Sequence, residues 1–481
     1  MDKRALLCVT VSAPTLEELE EARIRAERDA DLVELRLDGL RTIDVRAAIA
    51  GRARPVIVTC RPPWEGGRFD GSEEERRRIL TAAVASDAEY VDLEWRAGFD
   101  DLIRSRRGRG IVLSAHDLDG MPADLEARLR VMAATGAEVI KIAPAIQHLR
   151  ELVGLRDLGA RHPTLRLLLI GLGPRGVPSR VLAARFGSLW AYAGREPGTG
   201  QLTPEALLDV YRFRRLNRST AVYGLAGDPI DRSLSPLLHN AGFEAAELDA
   251  VYLPFPSTDA DDVLAAAGAL GVQGLSVTTP LKVPICERLE WKDDWCASVG
   301  AANTIRRRAG GWEGTNTDVA GFLEPLQDEE LVGLRATVVG AGGAARAVVA
   351  ALRSRGALVT VAARRRRMAA RLAGAGGSVA ALPLERGGWD LLVNTTPVGS
   401  WPEADQMPVP AELLAGGRIV YDLVYHPPIT RLMREAVAAG CRAIGGIEML
   451  IAQAERQFAW WTGHPPPAGL FRNVAHASYI L

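Results

Sequence analysis

Of the 58 lysines and arginines in this 481-residue chain, only Lys3, Lys141, Lys282 and Lys292 are lysine. Arginine keeps its proton inside a protein, a desolvated lysine can lose it, and only a neutral amine attacks a carbonyl. A lysine within an apolar run is therefore a chemical choice, and Lys141 sits in one, Glu138-Val-Ile-Lys-Ile-Ala143. It either forms an imine with a carbonyl substrate or is a buried stem whose head reaches water. His116 can move protons near neutrality, and an arginine is suited to bidentate capture of a carboxylate. Lys282, in Ser276-Val-Thr278-Thr-Pro-Leu-Lys282, is followed by Asn303 and then Asn316-Thr-Asp318. A Lys–Asp pair beside a hydroxyl can deliver the proton that a ketone needs once hydride arrives, and a structural ion pair is the alternative.

The elements that must position these groups are visible as short apolar runs. Leu6–Val11, Leu32–Leu37, Val56–Cys60, Tyr90–Leu93, Ile111–Leu113, Val139–Ile142, Leu165–Ile170 and Leu189–Tyr192 read as strands. Between most of them lie segments with helical periodicity, such as Leu16–Asp29, Ser72–Ser86, Ala123–Thr135 and Pro178–Arg185. Eight strands alternating with helices predict a (β/α)8 barrel, with an open doubly wound sheet as competitor. A barrel demands that chemistry gather at the C-terminal ends of the strands. Glu34, Arg36, Arg61, Glu65, His116, Lys141, Arg180 and Gln201 all fall on or just after predicted strands. Singly each has a structural explanation; together they are hard to explain as core.

These motifs resemble the type I 3-dehydroquinate dehydratase family. The matching pieces are Glu34-Leu-Arg36, Arg61-x3-Glu65-Gly-Gly, Ser114-x-His116-Asp117, Lys141-Ile-Ala143, Ser179-Arg180 and Phe186-Gly-Ser188. The resemblance implies a Schiff base at Lys141, general acid/base work by His116, and Glu65 orienting it. It assigns Glu34, Arg36, Arg61, Arg180 and Gln201 to the substrate's hydroxyls and carboxylate. One departure is Glu196-Pro197-Gly-Thr199-Gly-Gln201, where Pro197 replaces an expected hydroxyl residue and Thr199 is the candidate stand-in.

A polar stretch from Arg212 to Thr220 places a boundary near Asn217, and a strand pattern restarts at Ala221. Ser235-Pro236 reads as a helix start with Ser235 as its N-cap. Arg335–Val339 runs into Gly340-Ala-Gly342-Gly343-Ala344 and a helix over Ala347–Arg355, the context of a dinucleotide fingerprint. The next strand, Leu358–Ala362, ends without an acid and is followed by Arg364, Arg365, Arg366 and Arg367, which favours NADP(H) over NAD(H). Arg366 and Arg367 read as a solvated helix start, and Arg364 as the phosphate contact.

Residues 221 to about 463 resemble shikimate dehydrogenase. The resemblance is carried by Ser233-x-Ser235-Pro, Thr278-x-Pro-x-Lys282, Gly300-Ala-x-Asn303-Thr, Asn316-Thr-Asp318, the Gly340 loop, Asn394-Thr395-Thr396, Tyr421-Asp-x-x-Tyr425 and Met449-Leu-x-x-Gln453. It implies that Ser233, Ser235, Thr278 and Tyr425 bind the shikimate carboxylate. Asn303 and Gln453 then hold ring hydroxyls, and Lys282 with Asp318 flanks the reacting one. Asn394, Thr395, Thr396 and Gly446 line the cofactor cleft by the same resemblance, and Ile447–Thr462 is a helix returning to the substrate domain. The tail from His464 matches nothing.

The expected organisation is thus α/β throughout: a barrel at 1–217, a substrate domain at 218–325, a Rossmann domain at 326–445, and a C-terminal helix with tail at 446–481. The two resemblances imply consecutive reactions, dehydration of 3-dehydroquinate and NADPH-dependent reduction of 3-dehydroshikimate to shikimate. An NAD-preferring quinate/shikimate dehydrogenase, a class I aldolase, or a non-catalytic metabolite-binding half are the alternatives.

Composition narrows the class. Hydrophobic content is 48%, charged content 24%, and net charge −1, which gives no bulk attraction to nucleic acid or anionic membrane. Cys8, Cys60, Cys286, Cys296 and Cys441 show no metal-like spacing, so no metal is expected and a reducing cytoplasm is. The apolar start faintly mimics a signal peptide but reads better as a first strand. Monomer and homodimer stay open.

Overall fold

The computed structural model describes residues 4–195, 200–374, 377–382, 384 and 388–479. They form two compact units, residues 1–222 with 249–271, and residues 223–248 with 272–481.

In the first unit eight parallel strands form a nearly closed barrel. They are β1 (Leu6–Ser12), β2 (Leu32–Arg36), β3 (Val56–Thr59), β4 (Tyr90–Glu94), β5 (Ile111–Asp117), β6 (Val139–Pro144), β7 (Leu167–Leu169) and β8 (Trp190–Ala193). The ladder runs β7-β6-β5-β4-β3-β2-β1-β8, and a parallel bridge between Leu167 and Ser188 draws the two ends together. Strand side chains alternate faces, so each strand sends every second residue inward. Cys8, Leu32, Ile57, Val112, Val139, Leu168 and Trp190 pack into one apolar cluster. Two residues further along the same faces come Thr10, Glu34, Thr59, Ser114 and Lys141, all buried. The interior thus changes from apolar to polar toward the strands' C-terminal ends, the face where such barrels place chemistry. Strand β5 continues past the predicted Leu113 to Asp117, so Ser114 and His116 sit on the strand itself, opposite Lys141 and Ala143 of β6.

The first unit also holds strand β10 (Ala250–Pro256) and helix Ala260–Leu270, which differs from the grouping expected with a boundary near Asn217. The reason is polar: the Asp262 carboxylate accepts from the backbone N–H of Leu149 (2.8 Å) and Arg150 (3.0 Å), and Arg212 donates to Ala250 O at 2.7 Å.

The second unit contains two sheets. One runs β9 (Ala221–Gly227, its last five residues in this unit), β11 (Val272–Val277), β13 (Thr304–Arg308), β14 (Gly311–Thr315) and β12 (Trp291–Lys292). The other is parallel throughout, in the order β17 (Ser378–Ala380), β16 (Leu358–Ala362), β15 (Arg335–Val339), β18 (Leu391–Asn394), β19 (Ile419–Asp422) and β20 (Arg442–Gly445). Its strand order, reversing direction at β15 and β18, is that of a dinucleotide-binding fold. Helix Gly446–Thr462 follows β20, and the segment after His464 forms a last helix, Leu470–Ala477. No helix among the described residues is long and apolar enough to cross a membrane.

Candidate active sites

At the polar end of the barrel, charges converge from five strands. Lys141 Nζ lies 3.4 Å from Asp92 Oδ2 and 4.5 Å from the ring centroid of Tyr192. Ser114 Oγ donates to Asp92 Oδ1 at 2.6 Å and accepts from Arg61 at 2.8 Å. Arg61 also pairs with Asp92 (2.9 Å), Glu94 (2.8 Å) and Glu65 (3.4 Å). His116 Nδ1 is 2.9 Å from Glu65 Oε2. Glu34 accepts from Thr10 (2.8 Å) and Thr59 (2.9 Å), and Gln201 reaches the same Thr10 hydroxyl at 3.2 Å. Arg36 grips Asp38 through two bonds, while Arg180 is buried in helix Val177–Val181. Asp117, next to His116, pairs with Arg96 and Arg128, a structural role. Thr199 lies outside the described residues.

Burial dominates the electrostatics. It holds the His116 imidazolium well below the usual range, helped by the cations Arg61, Lys141, Arg36 and Arg180. Burial also pushes the Glu65 carboxyl up to about 8, against the pull of Arg61. Asp92 stays low because Arg61 and Lys141 outweigh its desolvation, whereas burial raises its neighbour Glu94. The arrangement offers a buried amine, a neutral imidazole and fixed cations around one space, which suits imine formation followed by proton transfer.

Asp92, Glu94 and Tyr192 were not among the residues singled out from sequence. Their signal was available: Tyr90-Val-Asp-Leu-Glu94 puts two carboxylates on one strand face at a predicted barrel rim.

In the second unit Lys282 Nζ pairs with Asp318 Oδ2 at 2.5 Å. Asn303 Nδ2 donates to Asp318 Oδ1 (2.7 Å), Thr317 (2.9 Å) and Gln453 Oε1 (3.3 Å). Gln457 ties the Asn303 carbonyl at 3.3 Å and accepts from Ser276 at 2.7 Å. One rigid polar cluster therefore joins Lys282, Asp318, Asn303 and Gln453. Ser233 accepts from the Ser235 N–H at 3.2 Å, so Ser233 caps the turn and Ser235 is the first helical residue, a correction to the expected N-cap. Tyr425, largely buried and raised by that burial, hydrogen-bonds Ser233. Thr278 lies against Gly227, where φ is +152° and an added Cβ would strike the Thr278 methyl.

The Gly-rich turn is built for close approach. Gly340 has φ +120°, and a Cβ there would collide with Thr395 Oγ1. A Cβ on Gly342, the residue before helix Gly343–Ser354, would meet nothing, which leaves room beside the helix N-terminus. Ala344 is in the helix's first turn, and a Cβ at Gly343 would lie 3.2 Å from Lys282 Cδ, so the Lys282 stem crosses the turn. Asn394 is committed inward, donating to Asp422 at 2.9 Å and accepting from Thr396 at 2.7 Å, while Thr395 donates to Val339 O at 2.7 Å. Gly446 packs its Cα against Leu423 O. Arg364 and Arg365 are exposed after β16, with no acidic residue at the strand end. Backbone cradle, open helix start and exposed arginines fit a phosphorylated dinucleotide.

Family profiles match three segments of the chain. They are "Type I 3-dehydroquinase" over residues 7–218, "Shikimate dehydrogenase substrate binding domain" over 225–305, and "Shikimate 5'-dehydrogenase C-terminal domain" over 446–476, the last taking in most of the tail from His464 and so correcting the expectation that this tail matches nothing. The chain is 32% identical to the chloroplastic bifunctional 3-dehydroquinate dehydratase/shikimate dehydrogenase of Arabidopsis thaliana, over 98% of this chain and 84% of the relative. It is 39% identical to shikimate dehydrogenase (NADP(+)) of Moorella thermoacetica, over 54% of this chain and 94% of the relative. The shikimate 5-dehydrogenase of Thermus thermophilus, solved in complex with NADP(H) and shikimate, superposes with a TM-score of 0.50 at 35% identity, covering 54% of this chain and 99% of that one.

Proposed function

The chain belongs to the family of bifunctional 3-dehydroquinate dehydratase/shikimate dehydrogenases of the shikimate pathway, and from that premise we propose how its two sites divide the chemistry. The barrel dehydrates 3-dehydroquinate. Lys141, as the free amine, adds to the ring ketone and loses water to give a protonated imine. His116 takes the proton from the adjacent carbon, and the electrons run into the imine. His116 then hands its proton to the β-hydroxyl, which leaves as water, and hydrolysis returns the amine and 3-dehydroshikimate. Glu65 orients His116. Arg36, Arg61 and Arg180 take the carboxylate, with Glu34, Gln201 and Thr199 on the hydroxyls.

One observation carries this reading: Lys141 and His116 stand on adjacent strands in one buried, cation-rich space. Borohydride added with 3-dehydroquinate is expected to fix a stable adduct on Lys141, seen by peptide mass. An unmodified Lys141 defeats it.

In the second half Ser233, Ser235, Thr278 and Tyr425 receive the carboxylate of 3-dehydroshikimate. Asn303 and Gln453 receive its hydroxyls. Lys282 and Asp318 hold the proton that the ketone oxygen takes up. Backbone of Gly340, Gly342, Gly343 and Ala344, with Asn394 to Thr396 and Gly446, lines the nicotinamide dinucleotide cleft, and Arg364 with Arg365 meets the 2′-phosphate. NADPH, when bound, supplies the hydride. The domain bounds we assign are 1–217, 218–325, 326–445 and 446–481. Five free cysteines favour a reducing, cytoplasmic setting.

A further inference from the structure

Arg76 lies on helix Glu73–Ala85, outside the barrel strands, yet its side chain is fully buried. It packs between the rings of Phe99 (5.2 Å) and Trp64 (5.8 Å) and donates to Cys60 O at 3.2 Å. Its remaining partners are Glu73, at the helix start, and the buried carboxylate of Glu94 on β4. Glu94 is also the partner of Arg61 at 2.8 Å, and Arg61 reaches Glu65, which holds His116. A continuous chain of charges therefore runs from an outer helix to the imidazole.

The buried set is balanced. Arg61, Arg76 and Lys141 face Glu65, Asp92 and Glu94, all of them shielded from solvent. Removing Arg76 raises the proton affinity of Glu94, its direct partner, and, as long as Glu94 stays ionised, that of Glu65 behind Arg61. Glu65 is where that matters for chemistry. When ionised it accepts from His116 Nδ1–H and leaves the Nε2 lone pair free; when protonated it donates to Nδ1 and puts the hydrogen on Nε2. The dyad is faced by Arg61 after β3, Asp92 and Glu94 on β4, Lys141 on β6, Arg36 on β2 and Arg180 on its helix. Each of these except Arg76's partner Glu94 already has a part in the substrate site or its immediate wall.

We propose that Arg76 is a positioning residue for the dehydration: through Glu94 and Arg61 it holds down the proton affinity of Glu65, and so favours the tautomer of His116 that can accept the substrate's proton. This rests on the roles given above to Glu65 and His116. Neutralising Arg76 should move the acid limb of the dehydration toward higher pH, because a base that must be deprotonated then holds its proton longer.

The test is kcat/KM for dehydration against pH in the full chain, following enone absorbance, with reduction of added 3-dehydroshikimate by the same molecules as the control for intact protein. Arg76→Met is expected to raise the acid limb by about one pH unit. Arg76→Lys should restore most of it, and Arg76→Met with Glu94→Gln, which rebalances the charges, should return it to within a few tenths of a unit. If Arg76→Met alone abolishes dehydration, the double variant decides: a wild-type limb supports the proposal and continued inactivity overturns it. A limb that stays put in Arg76→Met, or one equally displaced in the double variant, also overturns it. A wild type with no acid limb, or His116→Ala at full rate, would instead defeat the underlying dyad reading.

Discussion

His116 Nδ1 and Glu65 Oε2 meet at 2.9 Å although they come from different strand ends, β5 and the turn after β3. Burial and four cations keep the imidazole neutral to well below pH 6.5, and burial carries Glu65 to about 8. The pair can accept a proton only after Glu65 has lost its own. Dehydration by the free enzyme is therefore expected to rise along a single acid limb toward pH 8, with no separate loss near the usual histidine range. Glu65→Gln should flatten that limb while lowering the rate. A limb near 6.5 that survives Glu65→Gln would show that His116 titrates alone.

Gly340 gives a prediction confined to the other half. Its φ of +120° and the contact awaiting a Cβ at Thr395 make Gly340→Ala strained whatever the neighbours do. A strain of about 1–3 kcal/mol, placed where a pyrophosphate must approach, corresponds to roughly tenfold to a hundredfold in kcat/KM for NADPH. Dehydration should be untouched, since Gly340 belongs to the second unit. Equal losses in both reactions would point to general unfolding.

Arg364 tests cofactor choice. It is exposed after β16, where an acid would select a free ribose. Losing one exposed charge-assisted contact costs about 1.5 kcal/mol, so Arg364→Ala should raise KM for NADPH by about tenfold and leave KM for NADH nearly unchanged. Parallel changes with both cofactors would remove Arg364 from the 2′-phosphate.

Much of the barrel was legible because its polar residues interrupt apolar strands: Lys141 between Ile140 and Ile142 stands out in any window. The eight strands emerged for the same reason, though β5 was read short, since Ser114, Ala115 and His116 dilute its apolar signal. What stayed hidden was convergence. Asp92 and Glu94 alternate with Val91 and Leu93 as in any half-exposed strand, and only closing the barrel turns that face into the partner of Lys141 and Arg61. Arg76 was less visible still, one arginine in Glu73-Glu-Glu-Arg-Arg-Arg78, indistinguishable by pattern from its neighbours Arg77 and Arg78. In the second unit, Lys282, Asp318 and Asn303 carried their own motif, but the Ser233 cap did not, because Ser235-Pro236 mimics one. The packing of residues 249–271 with the barrel runs through backbone groups, Asp262 accepting from Leu149 and Arg150 N–H and Arg185 and Arg212 donating to Leu270 and Ala250 carbonyls, and backbone partners have no side-chain signature.

The division of labour between the two lysines is tested most directly in one cuvette holding 3-dehydroquinate and NADPH, with absorbance followed at the enone and at the reduced cofactor. Lys141→Ala should stop use of 3-dehydroquinate yet still reduce added 3-dehydroshikimate. Lys282→Ala should let the enone accumulate while cofactor oxidation falls by orders of magnitude. Both variants running the coupled reaction at the parent rate would contradict the account.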